Sequence, residues 1–395
     1  MHLIERYALG SGAKIDKPYI LEKFFPHDME KYITLHPRSK FDSKCYDFWQ
    51  EVIDIIYEPL SENGIEILQI GTKEDPQINK CRSTQGTTSI GQAAYLIRNS
   101  MLHLGADSFP VHIASSYNKK MVALYSNIYP SQASPYWGEK QNQILLEPDR
   151  EGKKPSYATE ENPKSINSIK PEEIAKSVLS LLDIDYDYGY TTVTRGPNYL
   201  PKNVQSVPHS TINIQGMLID SIIMRMDLHF DEDILVNQLL KTPCSILTNK
   251  PISLDIIKKF KDKIKQIVYL IEKDNHDPQF VESLIRLGGV RPILLSEMDK
   301  KELNEIKIDY MDHNVILPKG HPKKEDIEKI KSEGIDNLYY KSNKFLISKG
   351  KIYPSVAAWH KGKEIEGFDY KPQKIIDDKS FWKEIQDYYI LKKDA

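Results

Sequence analysis

Residues 85–126, QGTTSIGQAAYLIRNSMLHLGADSFPVHIASSYNKKMVALYS, read as helix, short strand, turn, helix and strand. That alternation is the signature of a parallel α/β sheet. The turn Gly105-Ala106-Asp107-Ser108-Phe109-Pro110 follows an apolar strand at 101–104 and opens a helix at 111–116, so free backbone N–H groups point out of the strand's carboxyl end. A helix start in that place attracts phosphate. Ser108 or Asp107 can cap the helix, Pro110 suits its first turn, and His112 lies on that turn within reach of a bound anion. Every parallel α/β sheet contains such turns with an Asp-Ser cap, so geometry alone leaves both readings open.

The rest of the first half repeats the alternation. A strand at 31–36, a helix at 46–60 and a strand at 65–70 precede the helix at 89–98, the strand at 101–104 and the strand at 121–125. Phe48, Trp49, Ile53, Ile56 and Tyr57 fall near one face of the long helix and read as core. Residues 129–169 are rich in Pro, Ser, Asn, Glu and Lys and read as a long loop. Pro171-Glu172-Glu173 then opens a helix to 182.

Residues 1–182 resemble the nucleotide-sugar-binding half of glycosyltransferase family 9, the heptosyltransferase-like enzymes of GT-B fold. The resemblance is carried by several motifs in order. His2-Leu3-Ile4-Glu5-Arg6-Tyr7-Ala8-Leu9 with Gly10 stands for the interdomain segment, and Tyr32-Ile33-Thr34-Leu35-His36-Pro37 for the first strand and its loop. Lys44, Tyr46 and Trp49 match the lysine and aromatics of the next helix, and a strand ends at Gly71. Asp107, Ser108, His112 and Ala114 meet the Asp-Ser/Thr-x-x-x-His-x-Ala signature, and Val122-Ala123-Leu124-Tyr125 followed by Trp137-Gly138 the last strand and loop. Two features depart from the family: Phe109 stands where glycine is frequent, and this half comes first in the chain.

Composition bounds the function classes. The chain of 395 residues, 40% hydrophobic and 28% charged, has room for two domains of ordinary size. A formal net charge of −2 argues against a dedicated nucleic-acid binder. The lysines at 258–265 and 319–331 read as solvated helix faces. Cys45, Cys81 and Cys244 show no paired spacing, which suits a reducing compartment and gives no case for zinc. With no signal-peptide pattern and no apolar run approaching the roughly 20 residues that span a bilayer, the expected location is the cytoplasm.

Residues 183–215 lack clear periodicity. Beyond them, strands at 221–226, 244–248, 266–271, 291–295 and 314–317 alternate with helices at 231–240, 254–263, 278–287 and 324–332, a second Rossmann-like unit. Residues 344–359 read as a hairpin around Ser348-Lys349-Gly350-Lys351, and 381–391 as a closing helix. The expected layout is a donor domain at 1–190, a linker at 191–215, an acceptor domain at 216–335 and a hairpin with helix at 336–395. The stretch Ile222-Ile223-Met224-Arg225-Met226-Asp227-Leu228-His229-Phe230-Asp231 resembles the family's usual N-terminal strand and loop. The fold expectation is therefore α/β and GT-B-like, two Rossmann-like domains facing a cleft, with the halves in permuted order.

Sugar transfer needs a grip on the diphosphate, stabilisation of the leaving charge and a base for the acceptor hydroxyl. The resemblance implies that Asp107, Ser108, Phe109 and His112 grip the diphosphate, with Lys44 as the cation and Arg38, Ser39 and Lys40 in the same loop. It also assigns base and ribose contacts to Thr72, Lys73, Glu74, Thr87 and Thr88. Asp231 takes the general base position, with Asp227 and His229 close enough to compete; Asp231 and its acidic neighbours read equally as the acidic start of a helix. The implied partners are a nucleotide-sugar donor and a glycan or other hydroxyl acceptor, with no metal. The rival readings are an epimerase or hydrolase of the same fold and a non-catalytic nucleotide- or glycan-binding protein.

Overall fold

The computed structural model describes residues 1–213, 221–290, 292–310, 316–318, 320 and 322–394. The chain divides into two compact α/β units, Met1–Tyr190 and Thr191–Ala395. The expected boundary at 215/216 and the start of the strand expected at 314–317 lie outside the described residues.

The first unit runs α1 (Leu3–Ser11), β1 (Tyr32–His36), α2 (Trp49–Glu62), β2 (Glu66–Gln69), β3 (Arg82–Ser83), α3 (Ile90–Asn99), β4 (Leu102–Ala106), α4 (Phe109–Ser116), β5 (Lys120–Leu124), α5 (Pro130–Ala133), β6 (Gln143–Leu146) and α6 (Pro171–Leu181). Its six strands lie in the order β3-β2-β1-β4-β5-β6, and every paired neighbour is parallel. β1 and β4 are buried along their whole length, as strands covered on both faces must be. α2 turns Val52, Ile53, Ile56 and Leu60 onto the sheet at 0% exposure, and full burial of each such side chain stabilises by roughly 1.5–3 kcal/mol. α3 starts where its sequence predicts, because Ser89 accepts from the Gln92 amide while Gln92 bonds back to Ser89.

The loop expected at 129–169 contains α5 and β6. β6 joins the sheet edge because Ile144, Leu145 and Leu146 fall in register with Val122, Ala123 and Leu124, a tertiary pairing that its polar, Pro-rich surroundings conceal.

The second unit comprises β7 (Tyr190–Arg195), β8 (Asn203–Ser206), β9 (Ser221–Arg225), α7 (Glu232–Lys241), β10 (Cys244–Thr248), α8 (Leu254–Phe260), β11 (Ile264–Ile271), α9 (Pro278–Leu287), β12 (Pro292–Ser296), α10 (Lys300–Ile306), β13 (Leu317–Pro318), α11 (Lys324–Lys331), β14 (Leu338–Ser342), β15 (Lys344–Ser348), β16 (Lys351–Tyr353), α12 (Val356–His360), β17 (Gln373–Lys374), α13 (Lys379–Lys383) and β18 (Tyr388–Lys393). An eight-stranded sheet has the order β13-β12-β11-β10-β9-β8-β15-β16, parallel except for the β15/β16 hairpin. A second sheet, β17-β14-β18-β7, packs through Tyr340, Phe381, Tyr388 and Ile390. The segment expected as a linker thus supplies β7 and β8, and β8 lies between β9 and β15.

The hairpin turn forms where expected, with Lys349 and Gly350 both at positive φ. The closing helix does not. α13 stops at Lys383, and Tyr388-Tyr389-Ile390-Leu391 runs as strand β18 antiparallel to β14. Four consecutive buried residues, two of them aromatic, satisfy a ladder buried on both sides better than one helical stripe.

Two consequences of the β1/β4 pairing can be measured. A Cβ added at Gly105 would stand 2.9 Å from the His36 carbonyl oxygen and 3.2 Å from His103 Nε2. Gly105→Ala should therefore destabilise the first unit by about 1–3 kcal/mol in chemical denaturation. His103, fully buried on β4 with Nδ1 2.9 Å from Thr34 Oγ1, has its pKa pushed down to about 3, first by burial and then by His36. The unfolded chain takes up that proton near pH 6.5 and the folded chain does not, so the contribution is complete above pH 6.5 and is lost as pH falls toward 3. The loss should approach 1.4 kcal/mol per pH unit, and His103→Asn should flatten this slope in melts between pH 7 and 4.5.

Candidate functional site in the first unit

In the first sheet the strand order reverses between β1 and β4, which is where open parallel α/β sheets bind ligands, beyond the carboxyl ends of the strands. The loops that leave those two ends carry most of the expected donor residues.

From β1 comes His36, buried, with Nδ1 3.0 Å from Ser108 Oγ. From β4 come Asp107, buried, and Ser108, the first flanking residue of α4. The Lys44 ammonium lies 2.5 Å from Asp107 Oδ2, and Ser39 Oγ donates to the Asp107 carbonyl at 3.1 Å. His112 Nε2 stands 4.0 Å from Asp107 Oδ1. These contacts bring Ser39, Lys44, Asp107, Ser108 and His112 together, as expected, and add His36.

The expected cap is corrected. Ser108 makes no side-chain bond to the first amides of α4; its hydroxyl meets His36 and the Ala106 carbonyl, at 3.0 and 3.2 Å. Asp107 is drawn to Lys44 instead. The start of α4 thus has no side-chain cap, and its helix dipole lies next to a lysine and two imidazoles. Burial lowers the pKa of both His36 and His112, opposed at His36 by Asp75 and at His112 by Asp107, so both rings favour the neutral form. Neutral imidazoles donate and accept at once, and Lys44 supplies the positive charge.

Phe109, at the position where the family shows glycine, is 46% exposed and meets the His36 ring edge-on, with centroids 5.8 Å apart. Arg38 and Lys40 are exposed on the β1 loop. Its course is held by Cys45 Sγ, which lies 3.4 Å from the Ser39 amide and from the Phe41 carbonyl.

The expected nucleoside contacts assemble one strand over. The Gly86 amide bonds the Gly71 carbonyl and Gln85 Nε2 the Asp75 carbonyl, so loop 71–76 and segment 84–88 lie together. Glu74 is fully exposed and its pKa is lowered by hydrogen bonds from its own backbone and from Thr72. Thr87 is exposed, with Oγ1 on the Thr84 carbonyl at 2.8 Å, while Thr88 is half-buried.

The expected acceptor-side residues lie in the second unit. Asp231 Oδ1 accepts from the Ile234 amide at 3.0 Å and caps α7, as an acidic helix start would. Asp227 binds Arg225 through both oxygens at 2.8 Å. His229 is exposed and stacks on His209 at 4.2 Å.

Sequence reasoning passed over His36 as a site residue, although it closes the quoted strand motif; only the adjacency of β1 and β4 makes it a neighbour of Ser108. Among the described residues no group of three or more His, Cys, Asp or Glu could hold a metal ion, and no helix is long and apolar enough to cross a membrane.

The comparisons with known proteins bear on this half. The family model for glycosyltransferase family 9 (heptosyltransferase) matches residues 11–164. No curated protein matches the chain. Among solved structures, the glycosyl transferase family 9 protein of Veillonella parvula DSM 2008 is 20% identical over 45% of this chain and 49% of that one, with a TM-score of 0.34. E. coli ADP-heptose lps heptosyltransferase II is 18% identical over 40% and 47%, with a TM-score of 0.32. E. coli heptosyltransferase WaaC with ADP is 14% identical over 46% and 57%, with a TM-score of 0.33. The chain thus spans about half the length of these structures. The segment that the family model matches, residues 11–164, contains every side chain of the cluster around Asp107.

Proposed function

We propose that this protein is a glycosyltransferase that moves a sugar from a nucleoside-diphosphate sugar to a glycan or other hydroxyl acceptor. The observation that carries the reading is the cluster of Lys44, Asp107, Ser108, His36 and His112 at the point of strand-order reversal, inside the segment that matches the family. In this reading the diphosphate meets the start of α4 and the Ser108 hydroxyl, and Lys44, aimed by Asp107, takes up charge as the leaving group departs. Helix-terminus electrostatics alone supply only about 0.3–1 kcal/mol at an exposed site, so the lysine is needed. Glu74, Thr87 and Thr88 face the nucleoside.

The acceptor hydroxyl gives its proton to a carboxylate while its oxygen attacks the anomeric carbon and the bond to the diphosphate breaks, an inverting displacement without metal. Asp231 is the acid assigned to this role, with Asp227 and His229 beside it. The acceptor half then follows the donor half, a permuted order of the usual layout. The free thiols of Cys45, Cys81 and Cys244 suit the reducing cytoplasm.

Titration calorimetry with ADP, UDP, GDP and CDP should find one that binds. Lys44→Met should weaken it about 10- to 100-fold, the loss of a charged hydrogen bond, and Ser108→Ala less. Absence of heat with all four nucleotides would sink the reading. Asp231→Asn separates capping from chemistry, because asparagine caps as well as aspartate. The melting temperature should hold while transfer to acceptor falls at least 100-fold; unchanged transfer would remove Asp231 from the mechanism. Donor consumed without acceptor would favour a hydrolase or epimerase instead.

A further inference from the structure

The second unit buries charge in a way that capping and packing do not require. Arg225, the last residue of β9, is buried, with Nε and Nη2 on the two oxygens of Asp227 and Nη1 on Gln205 Oε1 at 2.5 Å. Lys344, at the start of β15, donates to Glu384 at 2.6 Å and Asp387 at 3.2 Å. Glu384 is buried too and accepts from the Val356 amide at 3.0 Å and from the Tyr388 hydroxyl at 2.9 Å. Glu384 and Glu297 both act electrostatically on Arg225, and Arg225 acts on Lys344. Arg225 with Asp227 and Gln205, and Lys344 with Glu384 and Asp387, thus form two hydrogen-bonded groups within electrostatic reach of each other. Taking such groups out of water is costly, so a buried ion pair is poorly explained by stability alone.

The backbone shows what the Arg225 group holds. After Arg225 the chain turns at once, with the Leu228 and His229 amides both bonded to the Arg225 carbonyl, at 3.1 and 3.3 Å, and the Asp227 amide bonded to the Leu247 carbonyl. Leu228 packs on the aromatic core around Tyr340 and Phe381, and Phe230 on the core of the parallel sheet. The loop is thus gripped at its root by Arg225 and at two side chains, and it delivers His229 and Asp231.

We propose that Arg225 is the positioning residue of the loop 226–231, its guanidinium held by the fork on Asp227 and by Gln205. A bidentate fork fixes the direction of a carboxylate, which a lysine cannot do. Asp227 is then a strut rather than an acid in the reaction, and the residue left to meet the acceptor is Asp231. The inference rests on the reading of this loop as the acceptor side.

The test uses the full chain with Arg225→Lys and Arg225→Gln, and Asp227→Asn as the milder variant should either arginine change prevent folding. Amide exchange at Leu228 and His229 should rise at least tenfold in every variant that folds, with exchange in the first unit unchanged. Nucleotide affinity should also hold, while kcat falls about 10²-fold for Arg225→Lys, as a displaced reacting group predicts, and the donor KM stays. Arg225→Gln, which removes the charge, should in addition move the acidic limb of the kcat profile to higher pH; the lysine variant should leave the limb in place. Unaltered exchange at Leu228 and His229 overturns the proposal whatever the activity. Wild-type kcat in both arginine variants overturns it when Asp231→Asn is inactive, whereas an active Asp231→Asn indicts the acceptor-side reading and leaves exchange to judge the positioning role.

Discussion

The first unit depends on the parallel ladder between β1 and β4. Its register sets Thr34 beside His103, Leu35 beside Leu104 and His36 beside Gly105, so the two strands end level with each other. Everything proposed for the donor follows from that level ending. The loop after β1 supplies His36, Ser39 and Lys44, and the loop after β4 supplies Asp107, Ser108 and the start of α4. Only a residue without Cβ permits the approach, because the His36 carbonyl occupies the volume a side chain at position 105 would need. A slip of one residue would exchange the two faces of one strand relative to the other and separate His36 from Ser108.

The two units treat charge in different ways. In the first, the Lys44–Asp107 pair sits at the mouth of the sheet, half-buried on the lysine side, where a phosphate could share the ammonium without either charge being stranded. In the proposed reading Asp107 is a placeholder that aims Lys44 before any ligand arrives, which lowers the ordering cost of binding. In the second, Arg225 is satisfied by Asp227 and Lys344 by Glu384, pairs that specify one geometry rather than awaiting a partner.

How much of this the sequence disclosed depends on the range of the forces involved. Helices with local signals were legible: Ser89 and Gln92 marked the start of α3, Asp231 that of α7, and Pro278 that of α9. Buried strands of apolar residues, such as β4, β5 and β11, were legible for the same reason. β6, β8 and β18 were not, because their surroundings in sequence give no strand signal and each exists by pairing with a strand from elsewhere in the chain, and a helix-period reading of 381–391 fits the same aromatics. At the site, a run of residues from 107 to 112 announced itself through the turn before α4. His36 did not, and neither did the diversion of Ser108 and Asp107 away from capping, since both depend on which strand lies next to which.

Phe109 puts the donor reading under a physical constraint. A glycine at the first residue of α4 would leave the backbone open to a phosphate; here a ring stands there, nearly half exposed and propped edge-on by His36. A Phe side chain leaves from Cβ, so it blocks one flank of the helix start and not the amides of the first turn themselves. Lys44 and His112 both approach Asp107. In the proposed reading a diphosphate meets that ammonium and the helix dipole together, and the ring lies beside the sugar. An apolar aromatic face in that place favours the weakly polar C–H face of a sugar over water. The departure from the family's glycine is thus compatible with transfer chemistry, provided that Lys44 carries the electrostatic work that a bare backbone would otherwise share.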